Sequence, residues 1–367
     1  MKNKKIIIAG GSGFIGQALI KYFGRDNEII SLGRQSGDNH KNLYSQRLIR
    51  ANDDYNVYYV KWDAKNTGAE WSKEIDGADL VLNLAGKSVN CRYHKKQKKE
   101  IIDSRVNATE AIGHAIRKAL VKPTLWINAA SATIYQNSAD KSNDEFTGII
   151  SERKKDNMPF NTIDTLRGMK NKFFARLLHG KNSIAYKETD LDFSVQVCKL
   201  WENSFFNQKT PGTRKIAMRT AITLGEGGVI TPYFTLCKFG LGGKHGNGQQ
   251  MYTWVHIEDV ARMIEWLFEN KDAEGIYNCA APDVVSNNSF MKTLRQTTGH
   301  HFGLPAYTWM LEAGAFVIGT ETELMLKSRW VVPARAMKEG FGFKYKFLKE
   351  ALEDIVKNTA RNKYHLF

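Results

Sequence analysis

The tightest constraint on the fold lies in the first sixteen residues, where a short β-branched run, Ile6 to Ala9, feeds directly into the sequence GGSGFIG. Gly10, Gly13 and Gly16 satisfy one glycine spacing, and Gly11, Gly13 and Gly16 satisfy another. Both serve one physical purpose: a backbone without Cβ atoms turns tightly and lets a pyrophosphate approach, while the next helix offers its unsatisfied amides and positive dipole end. The stretch from Phe14 to Phe23 has helical character, so the turn stands between a strand and a helix, the context such a motif requires. Gly10, Gly11, Ser12, Gly13, Phe14, Ile15 and Gly16 are therefore expected to hold a dinucleotide. The alternative is a glycine-rich turn with no ligand.

The pattern beyond the turn alternates short β-branched runs with helical periodicity, which predicts an α/β fold of the Rossmann type, a doubly wound parallel sheet. Strands are expected over 5–9, 28–32, 57–60, 80–84, 125–129 and 215–220. One long helix is expected over 95–120, with Ile101, Val106, Ile112, Ile116 and Leu120 at helical spacing. A chain of 367 residues has room for a second unit. The expected division is a dinucleotide-binding domain over 1–225 and a smaller C-terminal substrate lobe over 226–367, with 252–280 returning to the first domain. Between 148 and 188 the periodicity fails, which marks an insertion, although Leu166, Met169, Phe173, Phe174, Leu177 and Leu178 could line one face of a helix there.

The net charge of +15 is local rather than general. Residues 153–187 carry nine basic and two acidic side chains, and 92–99 add five basic ones. Neither stretch has the regular aromatic interleaving of a nucleic-acid module, so a nucleic-acid partner is ranked last. Cys91, Cys198, Cys237 and Cys279 are scattered without metal-ligand spacing, so neither a zinc site nor a disulfide framework is indicated. No run of about 18 apolar residues occurs, which argues against a membrane-spanning helix, and a soluble protein of a reducing cytoplasm is expected.

Where an NAD binder usually offers a carboxylate to the ribose 2′-hydroxyl, about twenty residues past the glycines, this chain has Gly33 and Arg34. A guanidinium suits a 2′-phosphate, which places NADP(H) ahead of NAD(H). Asp63 is a candidate for the adenine edge or for a turn cap.

Several segments in order carry a family resemblance: GGSGFIG, NLAG at 83–86, DSRVNAT at 103–109, SATIY at 131–135, VCKLWE at 197–202, RTAITLG at 219–225, WVHIEDVA at 254–261 and the tail VVPARAMKEGFGFKY. The chain resembles extended short-chain dehydrogenase/reductases of the NAD-dependent epimerase/dehydratase type, in particular a subgroup of nucleoside-diphosphate-sugar epimerases with an extra C-terminal domain. The resemblance implies backbone contacts from Asn83, Leu84, Ala85 and Gly86 to the ribose and nicotinamide side of the cofactor. It also implies a Ser, Tyr and Lys that share proton transfer. Ser131 matches the serine. Counted back from Glu202, the tyrosine position is Ser194 and the lysine position is Cys198, so both groups are missing. Tyr345 with Lys349 has the spacing but lies in the C-terminal lobe, and Tyr135 is the substitute acid, or else a packed residue with its hydroxyl bonded internally. His256 reads as a substrate contact or a structural residue, Asp259 as a helix-start residue, Cys198 as inert packing or a thiol activated by a cation, and Arg219 as a phosphate anchor or a partner for a buried carboxylate.

These implications lead to an NADP(H)-dependent epimerase, dehydratase or reductase acting on a small molecule, a nucleotide-sugar or another hydroxyl or carbonyl compound. The competing expectation is a catalytically silent NADP(H)-binding sensor or interaction protein. The oligomeric state, a homodimer being one option, is not encoded legibly.

Overall fold

The computed structural model describes residues 1–34, 50–52, 55–138, 140–152, 192–306 and 328–366. The helix expected around 166–178, and nearly all of the basic insertion, fall outside them. Strands are β1 (Lys5–Ala9), β2 (Glu28–Gly33), β3 (Arg50–Asn52), β4 (Tyr55–Lys61), β5 (Leu80–Asn83), β6 (Leu125–Ser131), β7 (Arg214–Thr220), β8 (Ile222–Leu224), β9 (Met251–Tyr252), β10 (Trp254–His256), β11 (Gly275–Cys279) and β12 (Val285–Ser286). Helices are α1 (Phe14–Phe23), α2 (Lys95–Lys118), α3 (Phe193–Asn207), α4 (Ile230–Lys238), α5 (Ile257–Glu269), α6 (Asn287–Thr297), α7 (Ala334–Lys338) and α8 (Leu348–Asn358).

The main sheet runs β11-β7-β6-β5-β1-β2-β4-β3. Seven strands are parallel, and the short β3 closes one edge antiparallel to β4. Strand β1 lies between β2 and β5, with Ala9 paired to Leu32 on one side and Asn83 on the other. The chain order therefore reverses across β1, and the crevice beyond its carboxyl end is where an open α/β sheet receives a ligand.

Alternation along the strands explains the two cores. Ile6 and Ile8 face one layer with Leu19 and Phe23 of α1 and Met263, Ile264 and Leu267 of α5. Ile7 and Ala9 face the other with Ala108, Ile112 and Ile116 of α2 and Phe205 of α3. With both faces covered, the central strands must be apolar at every position, which is why β1 reads as a continuous run. A third core gathers Leu224, Phe234, Trp254, Phe290, Leu294, Leu352 and Ile355, away from the sheet, through α4, α6 and α8. Strand β11 rejoins the main sheet beside β7, and α5 packs against α1, so the chain crosses back before building the remaining helices. Buried Asp259 fixes the return of the C-terminal segment by accepting from the amides of Lys344 at 2.8 Å and Tyr345 at 2.9 Å. Among the described residues no helix is long and apolar enough to cross a membrane.

Candidate functional site

The glycine turn closes the crevice at the end of β1. Gly10 has φ +86°, a conformation that favours glycine, and a Cβ there would lie 3.0 Å from the Leu84 carbonyl. Gly16 packs the helix onto the turn: its Cβ would stand 2.5 Å from the Gly10 carbonyl oxygen and 2.6 Å from the Gly11 Cα. Gly13 differs from both. It is the N-cap of α1, no side chain caps that end, the first turn carries no acidic residue, and the nearest atom to an added Cβ is the Gly10 oxygen at 3.3 Å. The amides at the start of α1 thus face an open cradle with no competing carboxylate, and the residues fit a pyrophosphate. Ser12 and Gly13 are exposed, while the Phe14 ring meets the backbone at Gly228, where a Cβ would lie 3.1 Å from it. The loop after β8 therefore forms a wall beside the turn. Ile15 turns inward onto the core.

A buried polar cluster holds the NLAG edge. Asn83, fully buried, donates to Asn128 Oδ1 at 2.6 Å and Thr109 Oγ1 at 3.2 Å, while its own Oδ1 accepts from the Ala85 amide at 3.2 Å. Thr109 also donates to the Arg105 carbonyl at 2.8 Å. This cluster joins β5, β6 and α2, so the Asn83 side chain is committed within the protein, and the Leu84 amide donates to the Ala9 carbonyl at 2.9 Å, which sets this edge beside the end of β1. At the far side, Arg34 is exposed just past the end of β2. Asp63, beyond β4, accepts from the amides of Lys65 at 2.9 Å and Asn66 at 2.8 Å. Those bonds, the Asn66 amide first, hold its carboxyl below the usual range and make Asp63 the cap of its own turn.

Ser131 ends β6 half-buried, accepting from the Thr133 amide at 3.2 Å and lying 3.0 Å from its hydroxyl. Tyr135 is sealed, at 1% exposure, with its hydroxyl donating to Asn278 Oδ1 at 3.0 Å and the Arg219 guanidinium 4.8 Å from its ring centre. Burial raises its pKa. A proton donor must come within hydrogen-bonding distance of its acceptor, and here Tyr135 meets Asn278 instead of the crevice. Arg219 forms a two-pronged ion pair with buried Glu202, 2.8 Å at each contact, which is the buried-carboxylate role. Cys198, at the lysine position, is buried, and burial pushes its thiol up to about 12, so it stays neutral and unreactive. Ser194 is tied to Asp192 at the start of α3.

Asp259 stands in the first turn of α5, as a helix-start residue, and His256 has the structural one of its two expected roles. His256 caps α5, its Nδ1 accepting from the Glu258 amide at 3.2 Å, and its ring lies 3.9 Å from that of Tyr345. Tyr345 bonds Glu258 at 3.3 Å within the C-terminal core, and exposed Lys349 pairs with Glu353 at 3.7 Å on the surface of α8. One residue escaped the sequence reading. Arg105 of α2 donates from Nη1 to the carbonyls of Lys87 and Ile101, each at 3.0 Å, and stacks 5.0 Å over Trp201. Only the arginine in DSRVNAT hinted at it.

Residues 6–158 match the model of the NAD dependent epimerase/dehydratase family, and residues 308–355 match a domain of unknown function, DUF1731. The matched stretch spans β1 to β6 and includes the glycine turn. An epimerase family protein of Staphylococcus saprophyticus is 29% identical over 355 residues, covering 96% of this chain and 99% of its own. The crystal structure of the human epimerase family protein SDR39U1 (isoform 2) with NADPH superposes with a TM-score of 0.72 at 24% identity, over 96% of this chain and 99% of that one. MoeE5 in complex with UDP-glucose and NAD superposes with a TM-score of 0.65 at 16% identity, over 96% and 97%. These likenesses run the length of the chain, and the fold is the Rossmann-type sheet that the motifs imply.

Proposed function

We propose that this chain is an NADP(H)-dependent enzyme of the epimerase, dehydratase or reductase kind, acting on a nucleotide-sugar or another hydroxyl or carbonyl compound. The observation that carries the reading is the uncapped start of α1 at Gly13, where among the described residues no side chain caps the helix and its first turn carries no acidic residue. A bound nicotinamide dinucleotide would supply hydride exchange at a carbon bearing oxygen. The residues around it would do the rest. Amides from Gly11 to Gly16 hold the pyrophosphate, and Arg34 takes the 2′-phosphate. The backbone from Asn83 to Gly86, braced by Asn128 and Thr109, lines the nicotinamide side, and Ser131 orients the substrate oxygen. Tyr135, with Asn278 and Arg219, positions that strand end rather than carrying the proton. The relatives solved with NADPH and with NAD and UDP-glucose support the cofactor and substrate classes.

A second reading, a silent NADP(H) binder, is favoured by one observation: the tyrosine and lysine positions hold Ser194 and a neutral, buried Cys198. One experiment separates the two. The purified protein is stripped of nucleotide, loaded with stoichiometric NADPH or NADP⁺, and incubated with a panel of UDP-sugars beside Ser131→Ala, with the sugar products resolved by chromatography as well as the cofactor followed at 340 nm, because an epimerase or dehydratase returns its hydride and leaves no net absorbance change. The enzyme reading expects turnover with at least one substrate and a loss of about 10- to 1,000-fold in Ser131→Ala, with cofactor affinity retained. Tight NADPH binding with no turnover across the panel supports the silent binder.

A further inference from the structure

Two arginines are half-buried or buried near the carboxyl edge of β5, β6 and β7, and they are treated differently by the protein. Arg219 has its carboxylate, Glu202. Arg105 has none among the described residues: its Nη1 is spent on two neutral carbonyls, and its Nε and Nη2 have no partner there. The guanidinium lies so close to the backbone that a Cβ on Gly86 would stand 3.1 Å from Cζ and 3.3 Å from Nη1. It therefore borders the NLAG edge of the crevice, stacked on Trp201 and within electrostatic reach of Cys198, which itself adjoins Ser131. Burial works against the charge and lowers the Arg105 pKa, since neutral carbonyls compensate a cation less than a carboxylate does. A second guanidinium, Arg329, also reaches Cys198 electrostatically from the C-terminal segment. A planar cation held rigid, partly desolvated and short of a counter-charge is suited to a planar or tetrahedral oxyanion brought by a ligand.

We infer that the crevice edge beside Ser131 recognises an acidic group carried by the substrate, with Arg105 as the contact that binds it. This rests on the reading of the crevice as a dinucleotide site and narrows its substrates to those with a carboxylate or phosphate near the reacting carbon.

The full-length protein is titrated with NADP⁺ by calorimetry and then, saturated with it, with three methyl-bearing probes read by saturation-transfer NMR: pyruvate, methyl phosphate and neutral acetone. At least one anion is expected to bind ten times more tightly than acetone, and which anion wins tells a carboxylate from a phosphate. Arg105→Met should weaken that anion by about 10-fold or more, the size of a lost charge-assisted hydrogen bond, Arg105→Lys should weaken it less, and NADP⁺ affinity should be unchanged in both. Acetone binding as well as both anions, or Arg105→Met binding the anion as the unmodified protein does, would overturn the proposal. Should Arg105→Met fail to fold, the charge selectivity of the unmodified protein and Arg105→Lys decide. Failure of NADP⁺ to bind refutes the cofactor reading instead, and the same probes without NADP⁺ still test the arginine.

Discussion

Replacing Gly13 with valine separates a turn that serves a ligand from one that serves only the fold. At Gly13 φ is −78°, ordinary for any residue, and an added Cβ meets nothing nearer than one carbonyl oxygen at 3.3 Å. Valine is a much poorer N-cap than glycine and its Cβ would press on the Gly10 carbonyl oxygen, so the cost to stability should be about 1–2 kcal/mol. In the cradle the same side chain would occupy the space of the pyrophosphate. Losing one charge-assisted hydrogen bond costs about 1.5–3 kcal/mol, and displacing the phosphates removes more than one, so NADPH affinity should fall by at least about 100-fold. Gly16→Ala is the counterpart: its Cβ would overlap backbone at 2.5 and 2.6 Å, and overpacking of this kind costs about 1–3 kcal/mol. Calorimetric titration with NADPH and thermal unfolding of the same preparations give both quantities. The expected result is Gly13→Val folded near the normal Tm and unable to bind, with Gly16→Ala measurably less stable. A folded Gly13→Val that binds NADPH at normal affinity refutes the assignment.

Breaking the buried Arg219–Glu202 pair by Glu202→Gln should destabilise the protein by about 3–5 kcal/mol, whereas Arg219→Met with Glu202→Leu together should lose less; denaturant midpoints at constant slope check this, and equal losses would contradict it. His245 is fully buried, its ring nitrogens have no hydrogen-bonding partner among the described residues, its ring stacks 5.7 Å from Tyr233, and burial pushes its pKa down to about 4. The unfolded chain binds this proton near pH 6.5 and the folded chain near 4, so the contribution of His245 is intact above pH 6.5 and lost as pH falls toward 4, up to about 3 kcal/mol. His245→Phe should therefore flatten the acid limb of a urea-midpoint profile between pH 7 and 4.5, and an unchanged limb would rule the assignment out.

How much of this was legible in the sequence follows from the range of each interaction. The strand and helix beside the glycine turn, and the six expected strands, are set by local period and composition, and the observed elements lie within a few residues of them. Strand β11 was missed because five residues, GIYNC, carry no alternation to mark an edge strand, and its place beside β7 is a long-range pairing. Tyr135 was legible as a residue near Ser131, but the direction of its hydroxyl depends on Asn278, 143 positions away. That His256 is the cap of α5, and that Asp259 also holds the C-terminal segment, depend on the same kind of long-range packing. Capping by histidine is unusual, and the amides that claim Asp259 come from a segment 85 and 86 residues downstream. Arg105 reads in sequence as one more cation on a basic helix. Its lack of a carboxylate partner becomes visible only when α2, β5 and α3 are packed together.

The proposal that the crevice takes NADP(H) is tested most directly by the affinity of the nucleotide-free protein for NADPH and NADH, beside Arg34→Glu. The structure leaves Arg34 exposed at the end of β2, with glycine before it where a carboxylate would select the 2′-hydroxyl. NADPH is expected to bind more tightly than NADH in the unmodified protein, and Arg34→Glu to lose about 1.5–3 kcal/mol of NADPH affinity while NADH changes little. Equal affinity for the two cofactors, or an Arg34→Glu protein that still prefers NADPH, would contradict it.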